Sequence, residues 1–145
     1  MPPKKTKKQV EDEEPRMMNG VFMFPNGDRY DGDYMRKPDG TIFRQGQGCH
    51  TASDGTKYEG EWLNDTMTGQ GSVEYPSGAS YEGEFNENKF HGSGRYNWPD
   101  GAVYSGHFED NRICGDGEFL DPDGQAWVGN FDNKMALGLK FKLGL

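Results

Sequence analysis

A 23-residue repeat constrains the fold of this chain more than any other feature of its sequence. Four five-residue blocks, each with an aromatic residue at both ends and glycine in the middle, begin at Tyr58, Tyr81, Tyr104 and Trp127, 23 residues apart. After each of the first three blocks, a glycine pair follows 11 and 13 positions from the block's first residue, and a turn glycine comes later. A period of this length is typical of repeat arrays, in which each unit packs against its neighbours.

One further unit departs from the period. A block of the same kind begins at Tyr30, but its glycine pair arrives five residues late, so the extra residues lie around Met35–Arg44 and predict a longer hairpin loop. Gly20 to Asp28 matches the second half of a unit. The sequence therefore predicts a charged tail over 1–18 and a repeat array over 19–145. The array divides into a half unit at 19–29, units starting at 30, 58, 81 and 104, and a terminal unit at 127–145.

Each unit is expected to form two short strands. The block alternates with period two, which places both rings and the middle glycine on one face of a strand. We expect this glycine to let a ring from the neighbouring strand lie flat over the backbone. Aromatic residues make up 13% of the chain and hydrophobic residues only 32%, so rings must provide most of the buried surface. The prediction is an all-β fold: an elongated single-layer antiparallel β-meander of about five 23-residue β-hairpin repeats.

These residues resemble the MORN repeat (membrane occupation and recognition nexus). The resemblance is carried by Tyr58-Glu-Gly-Glu-Trp62, the glycine pair and the Asp-Gly turn, and the last three units are similar to a small vertebrate member of the family. It implies a twisted single-layer sheet whose aromatic face forms a groove, with scaffolding or tethering roles. Relatives include ciliary radial spoke components, junctophilins, plant phosphatidylinositol phosphate kinases and proteins of developing sperm. This chain departs from the pattern at Tyr34, His107 and Lys140.

The sequence contains no motif that predicts catalysis. The histidines His50, His91 and His107 fall at unrelated phases of the repeat, and no nucleophile elbow, phosphate-binding loop or zinc-protease motif is present. The Asp-x-Asp-Gly fragments lack the terminal Glu of a calcium loop. Cys49 and Cys114 lie far apart and are expected to be reduced thiols. We therefore expect no enzyme activity, no cofactor and no metal.

The charge distribution excludes some partners. The net charge is −8, and residues 19–145 alone carry −9, which repels nucleic acid and counts against anionic membranes. The tail has a basic run (Lys4, Lys5, Lys7, Lys8) followed by four acids and is expected to be disordered; a nuclear signal and a tubulin-directed arm are its alternatives. With no apolar run near the start, a cytoplasmic location is expected.

Three features are candidates for binding partners. The first is an aromatic stripe, which is either the sheet's own packing or a groove for a partner helix: Tyr58, Trp62, Tyr81, Phe85, Tyr104, Phe108, Trp127 and Phe131. The second is an acidic face, which is either simply solvated or a ladder for a basic partner: Asp31, Asp33, Glu59, Glu61, Glu82 and Glu84.

The third candidate is the C-terminal strand, where the apolar phase is shifted by one residue relative to the earlier units. Its apolar residues are Leu137, Leu139, Phe141, Leu143 and Leu145. Because strand faces alternate, this shift moves the apolar set to the other face or indicates a slip in register. The strand is predicted either to cap the array or to dock on a partner, and docking is favoured, with Leu139, Phe141 and Leu143 as the contact residues.

Together these features predict a non-catalytic scaffold that binds protein partners, either a helix in the aromatic groove or a ciliary complex. The family resemblance suggests ciliary or flagellar axonemal assemblies or sperm development, with a location on the axoneme or on sperm vesicles. A peripheral phospholipid-binding tether is the alternative, which a basic surface would favour and this acidic one does not. The oligomeric state is left open by the sequence.

Overall fold

Residues 16–131 are described by the computed structural model, and they form one ten-stranded antiparallel sheet. The strands are β1 (Met17–Met23), β2 (Arg29–Arg36), β3 (Ile42–Thr51), β4 (Lys57–Leu63), β5 (Thr66–Glu74), β6 (Ser80–Asn86), β7 (Lys89–Asn97), β8 (Val103–Glu109), β9 (Arg112–Leu120) and β10 (Ala126–Asn130). Each strand pairs with the next one along the chain, so the predicted all-β single-layer meander is confirmed. Within these residues no helix is long and apolar enough to cross a membrane.

The start of the array differs slightly from the predicted boundary. β1 begins at Met17, two residues before the predicted start of the array at residue 19. The predictions about the order of the rest of the tail, and about Leu137, Leu139, Phe141, Leu143 and Leu145, concern residues outside the described part of the chain.

Successive units are joined by turns that repeat the same hydrogen bonds. In the turn after β5, the Tyr75 N–H donates to Ala79 O at 2.9 Å and the Gly78 N–H donates to Tyr75 O at 3.0 Å. Gly78 has φ +95°, a conformation that glycine adopts without steric cost. Equivalent bonds close the turns at Gly27, Gly55, Gly101 and Gly124, so the turn glycines were placed correctly from sequence.

The turn inside a unit also holds that unit to the preceding one. Three units use two-residue turns with positive φ at both positions, as in Glu87-Asn88 (φ 47° and 68°), which matches the twist of a hairpin. The side-chain oxygen of Asn88 accepts the Met67 N–H at 2.8 Å, and the Asn88 N–H donates to Met67 O at 3.0 Å. Asn111 makes the same two bonds to Phe90 in the next unit. These turns therefore couple neighbouring units directly.

The extra residues lengthen the loop of their hairpin, as predicted, and they also lengthen its two strands. β2 has 8 residues and β3 has 10, against 7 and 9 in the following hairpin. The turn between them runs from Lys37 to Thr41, where the Lys37 N–H donates to Thr41 O at 2.7 Å. The insertion therefore extends one hairpin beyond its neighbours.

The core lies along one face of the sheet and consists mainly of rings. The largest fully buried side chains are Tyr30, Tyr81, Tyr104, Phe108, Met67, Ile113 and Val73. Rings of successive units meet edge to face: Tyr81 lies 5.0 Å from Phe108, and Tyr104 lies 5.4 Å from Phe131. Such pairs add to the stabilisation from buried area.

The glycine that a ring covers is not the one expected from the sequence. Tyr81 covers Gly94, the second glycine of the pair on the adjacent strand, where an added Cβ would lie 2.4 Å from the tyrosine oxygen. Tyr104 covers Gly117 in the same way. The middle glycine of the block, Gly83, instead faces backbone: an added Cβ would meet the Gly94 Cα at 2.5 Å. Two glycines thus let the strands approach, and the tyrosine covers one of them.

Candidate functional site

Most of the predicted aromatic stripe is core. Trp62, Tyr81, Phe85, Tyr104 and Phe108 are at most 5% exposed. For these five side chains, the alternative that the stripe is the sheet's own packing is the one observed, because rings from adjacent strands and units cover one another on the same face. In the folded sheet these five side chains therefore offer a partner almost no accessible surface.

The remaining three members of the stripe differ in exposure. Tyr58 is half-buried beside His50, with ring centroids 6.4 Å apart. Trp127 is 42% exposed on β10, while Phe131 is half-buried against Tyr104. These three side chains keep some accessible surface, at the two ends of the stripe.

Four half-buried rings meet at the first three strands, where they line a cavity that we call the N-terminal groove. It has a volume of about 530 Å³, and its lining includes five half-buried apolar side chains: Phe22, Phe24, Tyr34, Ile42 and Phe43. Phe22 and Tyr34 meet edge to face at 4.7 Å. Tyr34, Ile42 and Phe43 come from the extended hairpin, so the insertion supplies one wall of the groove.

A polar network occupies the base of the N-terminal groove. Arg44 donates from Nε to the Asp65 carboxylate at 2.6 Å and from Nη2 to Asp65 O at 2.8 Å. Its Nη1 lies 3.1 Å from His50 Nδ1, and His50 Nε2 lies 2.8 Å from the Asp28 carboxylate. Because an arginine only donates, Nδ1 accepts and Nε2 carries the proton that bonds Asp28. The guanidinium also lies 4.3 Å from the centre of the Trp62 ring.

The charges in this network stabilise one another. The pKa of the Asp28 carboxyl is lowered, first by the hydrogen bond from His50 and then by the Ser53 N–H. Burial alone would raise the pKa of Asp65, but the hydrogen bonds and charge of Arg44 outweigh it and lower that pKa. Both carboxylates therefore stay ionised and hold the arginine and the histidine in place.

The acidic face has a structural role at half of its predicted positions. The carboxylates of Asp33, Glu61 and Glu84 each accept a backbone N–H from the next strand, just after the first glycine of the pair. These bonds run from Gln47 at 3.1 Å, Gln70 at 2.6 Å and Ser93 at 2.5 Å. Each carboxylate lies where the strand register shifts, and it accepts an amide N–H that the hydrogen bonds between the strands do not use. Asp31, Glu59 and Glu82 are exposed.

Sequence reasoning missed the N-terminal groove. The late glycine pair showed where the insertion lies. The arginine at the end of the insertion, Arg44, was the sequence feature that could have indicated a binding groove there. No group of three or more His, Cys, Asp or Glu side chains that could hold a metal occurs in the part of the chain that the structure describes.

The fold and the repeat define a class: a β-hairpin repeat protein with one aromatic core face. The MORN repeat model matches residues 15–29, 58–80, 81–103 and 104–126, more than half of the chain, so the chain belongs to the MORN repeat family. The match leaves out 30–57, the unit with the insertion that builds the N-terminal groove. No curated protein matches the chain, so the expected likeness to one small vertebrate member is not supported.

Two solved structures show similarity at low identity. The TCP10 domain of Danio rerio CPAP is 23% identical with a TM-score of 0.37, over 75% of this chain and 59% of that domain. The SAS-4 (dCPAP) TCP domain of Drosophila melanogaster, solved with a proline-rich motif of Ana2 (dSTIL), is 14% identical with a TM-score of 0.33, over 88% of this chain and 95% of that one. The chain thus spans about six tenths of the Danio rerio domain.

Proposed function

We propose that this chain is a non-catalytic scaffold that binds a protein partner in the N-terminal groove. The observation that carries the proposal is the cluster of half-buried rings around a groove of about 530 Å³, on a face whose other rings are mostly buried. Accessible apolar surface next to a few fixed polar groups is typical of binding sites.

The chemistry of the groove indicates what the partner presents. Phe22, Tyr34 and Phe43 provide faces and edges for one aromatic or aliphatic side chain. Arg44 uses three of its five N–H donors within the network, which leaves two for acceptors such as peptide carbonyls. The partner segment therefore combines an apolar anchor with a backbone acceptor, as a helix end or an extended peptide does.

The cellular setting is proposed on the family resemblance. We place the scaffold in the cytoplasm, within ciliary or flagellar axonemal assemblies or in sperm development. The acidic surface supports a protein partner over a phospholipid one, because the net charge of −8 repels anionic head groups.

A pair of charge insertions tests the proposal. Phe43→Glu places a carboxylate in the N-terminal groove, while Leu63→Glu places one at an apolar residue that is 48% exposed and lies outside it. Both tagged variants are used to capture proteins from ciliated or testis cells, with circular dichroism to confirm folding. We expect Phe43→Glu alone to lose a protein that the wild type retains. Equal retention by both folded variants would show that the groove is not the binding site.

A further inference from the structure

The two edge strands carry most of the exposed large hydrophobic side chains in residues 16–131. Five of the six exposed large hydrophobic side chains lie on β1 or β10, with Val21 52%, Met23 68% and Val128 80% exposed. Met17 and Trp127 are the other two, at 53% and 42%. Apolar edge strands invite pairing with another chain, and natural proteins normally avoid them.

Val21 and Val128 end a row that is otherwise polar. The strand register aligns one residue from each strand across the sheet, and between the two valines this row contains Asp31, Cys49, Glu59, Ser72, Glu82, Arg95, Ser105 and Glu118. Exposure to solvent alone gives no physical reason for valine at both ends of this row. Two valines that face each other across an interface do have a reason to be apolar.

The two edges are also complementary halves of one repeat unit. Each repeat unit contains a first and a second strand. β1 corresponds to a second strand, and within residues 16–131 no first strand precedes it. β10 carries the block of a first strand, Trp127 to Phe131. When the register of the β4–β5 pair is applied to these edges, Trp127 lies opposite Phe22, Val128 opposite Val21, and Gly129 opposite Gly20.

The glycines at the two edges have the space that this pairing would fill. At Gly94 and Gly117 a lead tyrosine leaves only 2.4 Å for an added Cβ, whereas at Gly20 the nearest atom is 3.3 Å away. Gly83 faces a glycine Cα at 2.5 Å, whereas Gly129 has nothing within 4 Å. Gly20 therefore lacks the lead ring that covers Gly94 and Gly117 and meets only the edge of Tyr34, while Gly129 faces no backbone within residues 16–131. Pairing of the two edges would supply both.

We propose that β10 of one copy pairs with β1 of a second copy, in the antiparallel register of the interior hairpins. The contact joins two different edges, so each added copy leaves one edge of each kind open. Association of this type grows with concentration and does not stop at a dimer. The proposal is independent of the N-terminal groove as a partner site, and its test uses the full chain without any partner.

Analytical ultracentrifugation of the full chain over a range of concentrations tests the pairing. We expect the average mass to rise from 16.3 kDa to more than twice that value. Val21→Asp and Val128→Lys each place a charge in the proposed interface at an exposed position, and each alone should weaken association about tenfold or more. Ser105→Lys, in the same row on β8, is the matched control and should associate like the wild type.

Mixing the two edge variants gives the sharpest result. Each variant retains one unaltered edge, and their altered edges carry opposite charges, so the mixture should associate more strongly than either variant alone. A wild type that stays at 16.3 kDa up to about 1 mM would overturn the proposal. Dimerisation of Val21→Asp as strong as that of the wild type would also overturn the proposal, because it would indicate that β10 pairs with β10. If only the chain shortened to 1–131 associates, residues 132–145 of the same copy cover β10 and the proposal is wrong.

Discussion

Gly94→Ala tests the contact between the lead tyrosine and the second glycine of the pair. The added Cβ would lie 2.4 Å from the Tyr81 oxygen and 2.7 Å from two carbons of its ring. Ordinary contacts between such atoms are about 3.5–4.0 Å, so the ring has to move by roughly 1 Å. Tyr81 has no free space to move into: it is 0% exposed and stacked on Phe90 at 3.9 Å.

The expected cost combines two terms. Overpacking of a well-filled core costs about 1–3 kcal/mol. Displacement of the ring also lengthens the 2.7 Å hydrogen bond from the Tyr81 hydroxyl to Glu84 O, worth about 1 kcal/mol. We expect a loss of about 2–4 kcal/mol in the free energy of unfolding, or roughly 10 °C in Tm for a chain of this size.

Urea unfolding followed by circular dichroism measures this loss, with Gly20→Ala as the matched control. Gly20 occupies the same position in the half unit, but its nearest neighbour is 3.3 Å away, at the edge of the half-buried Tyr34 ring. Gly20→Ala should be neutral or stabilise by about 0.4–1 kcal/mol, because alanine restricts the unfolded chain. A Gly94→Ala variant as stable as the wild type, or a control equally damaged, would refute the reasoning.

Three further results are expected. Asn111→Ala should lower the free energy of unfolding by about 1–2 kcal/mol in urea titration, because the Phe90 N–H loses its 2.9 Å acceptor; no measurable loss would contradict coupling through the turns. Burial is the largest cause in each case and raises the pKa of Tyr30 and Tyr75 to about 12, so absorbance should show these phenols still neutral where free tyrosine ionises near 10. Because folding raises both pKa values, the stability that the two neutral phenols contribute is present below pH 10 and should be lost as the pH rises through about 12. Complete ionisation of both phenols near pH 10 in the folded chain would count against their burial. Vesicles that contain phosphoinositides should not co-sediment with the chain at about 0.15 M salt, and saturable binding there would favour the membrane tether.

The strands and turns were predictable from sequence because each follows from local chemistry. Glycine at a fixed place after each hydrophobic pair requires a turn, and the alternation in blocks such as Tyr81–Phe85 requires a strand with rings on one face. The 23-residue period then orders the strands, since short turns leave each strand only its neighbour to pair with.

The binding surface was harder to predict because burial depends on the contacts between units. Tyr81 and Tyr58 occupy the same repeat position, yet Tyr81 is fully buried and Tyr58 is half-buried. The difference follows from Phe90, which stacks on Tyr81, and no rule of spacing indicates that contact. Glu84 likewise looks like a solvated acid in sequence, and only the register shift beside it reveals the amide that it accepts.

Site-specific photocrosslinking tests the central claim that the N-terminal groove holds the partner. A benzoylphenylalanine at position 43 lies in the groove, and one at position 63 lies on an exposed apolar site outside it. With the captured partner bound to the full chain, we expect a crosslink from position 43 and none from position 63. A crosslink from position 63 alone, with binding intact in both variants, would contradict the account.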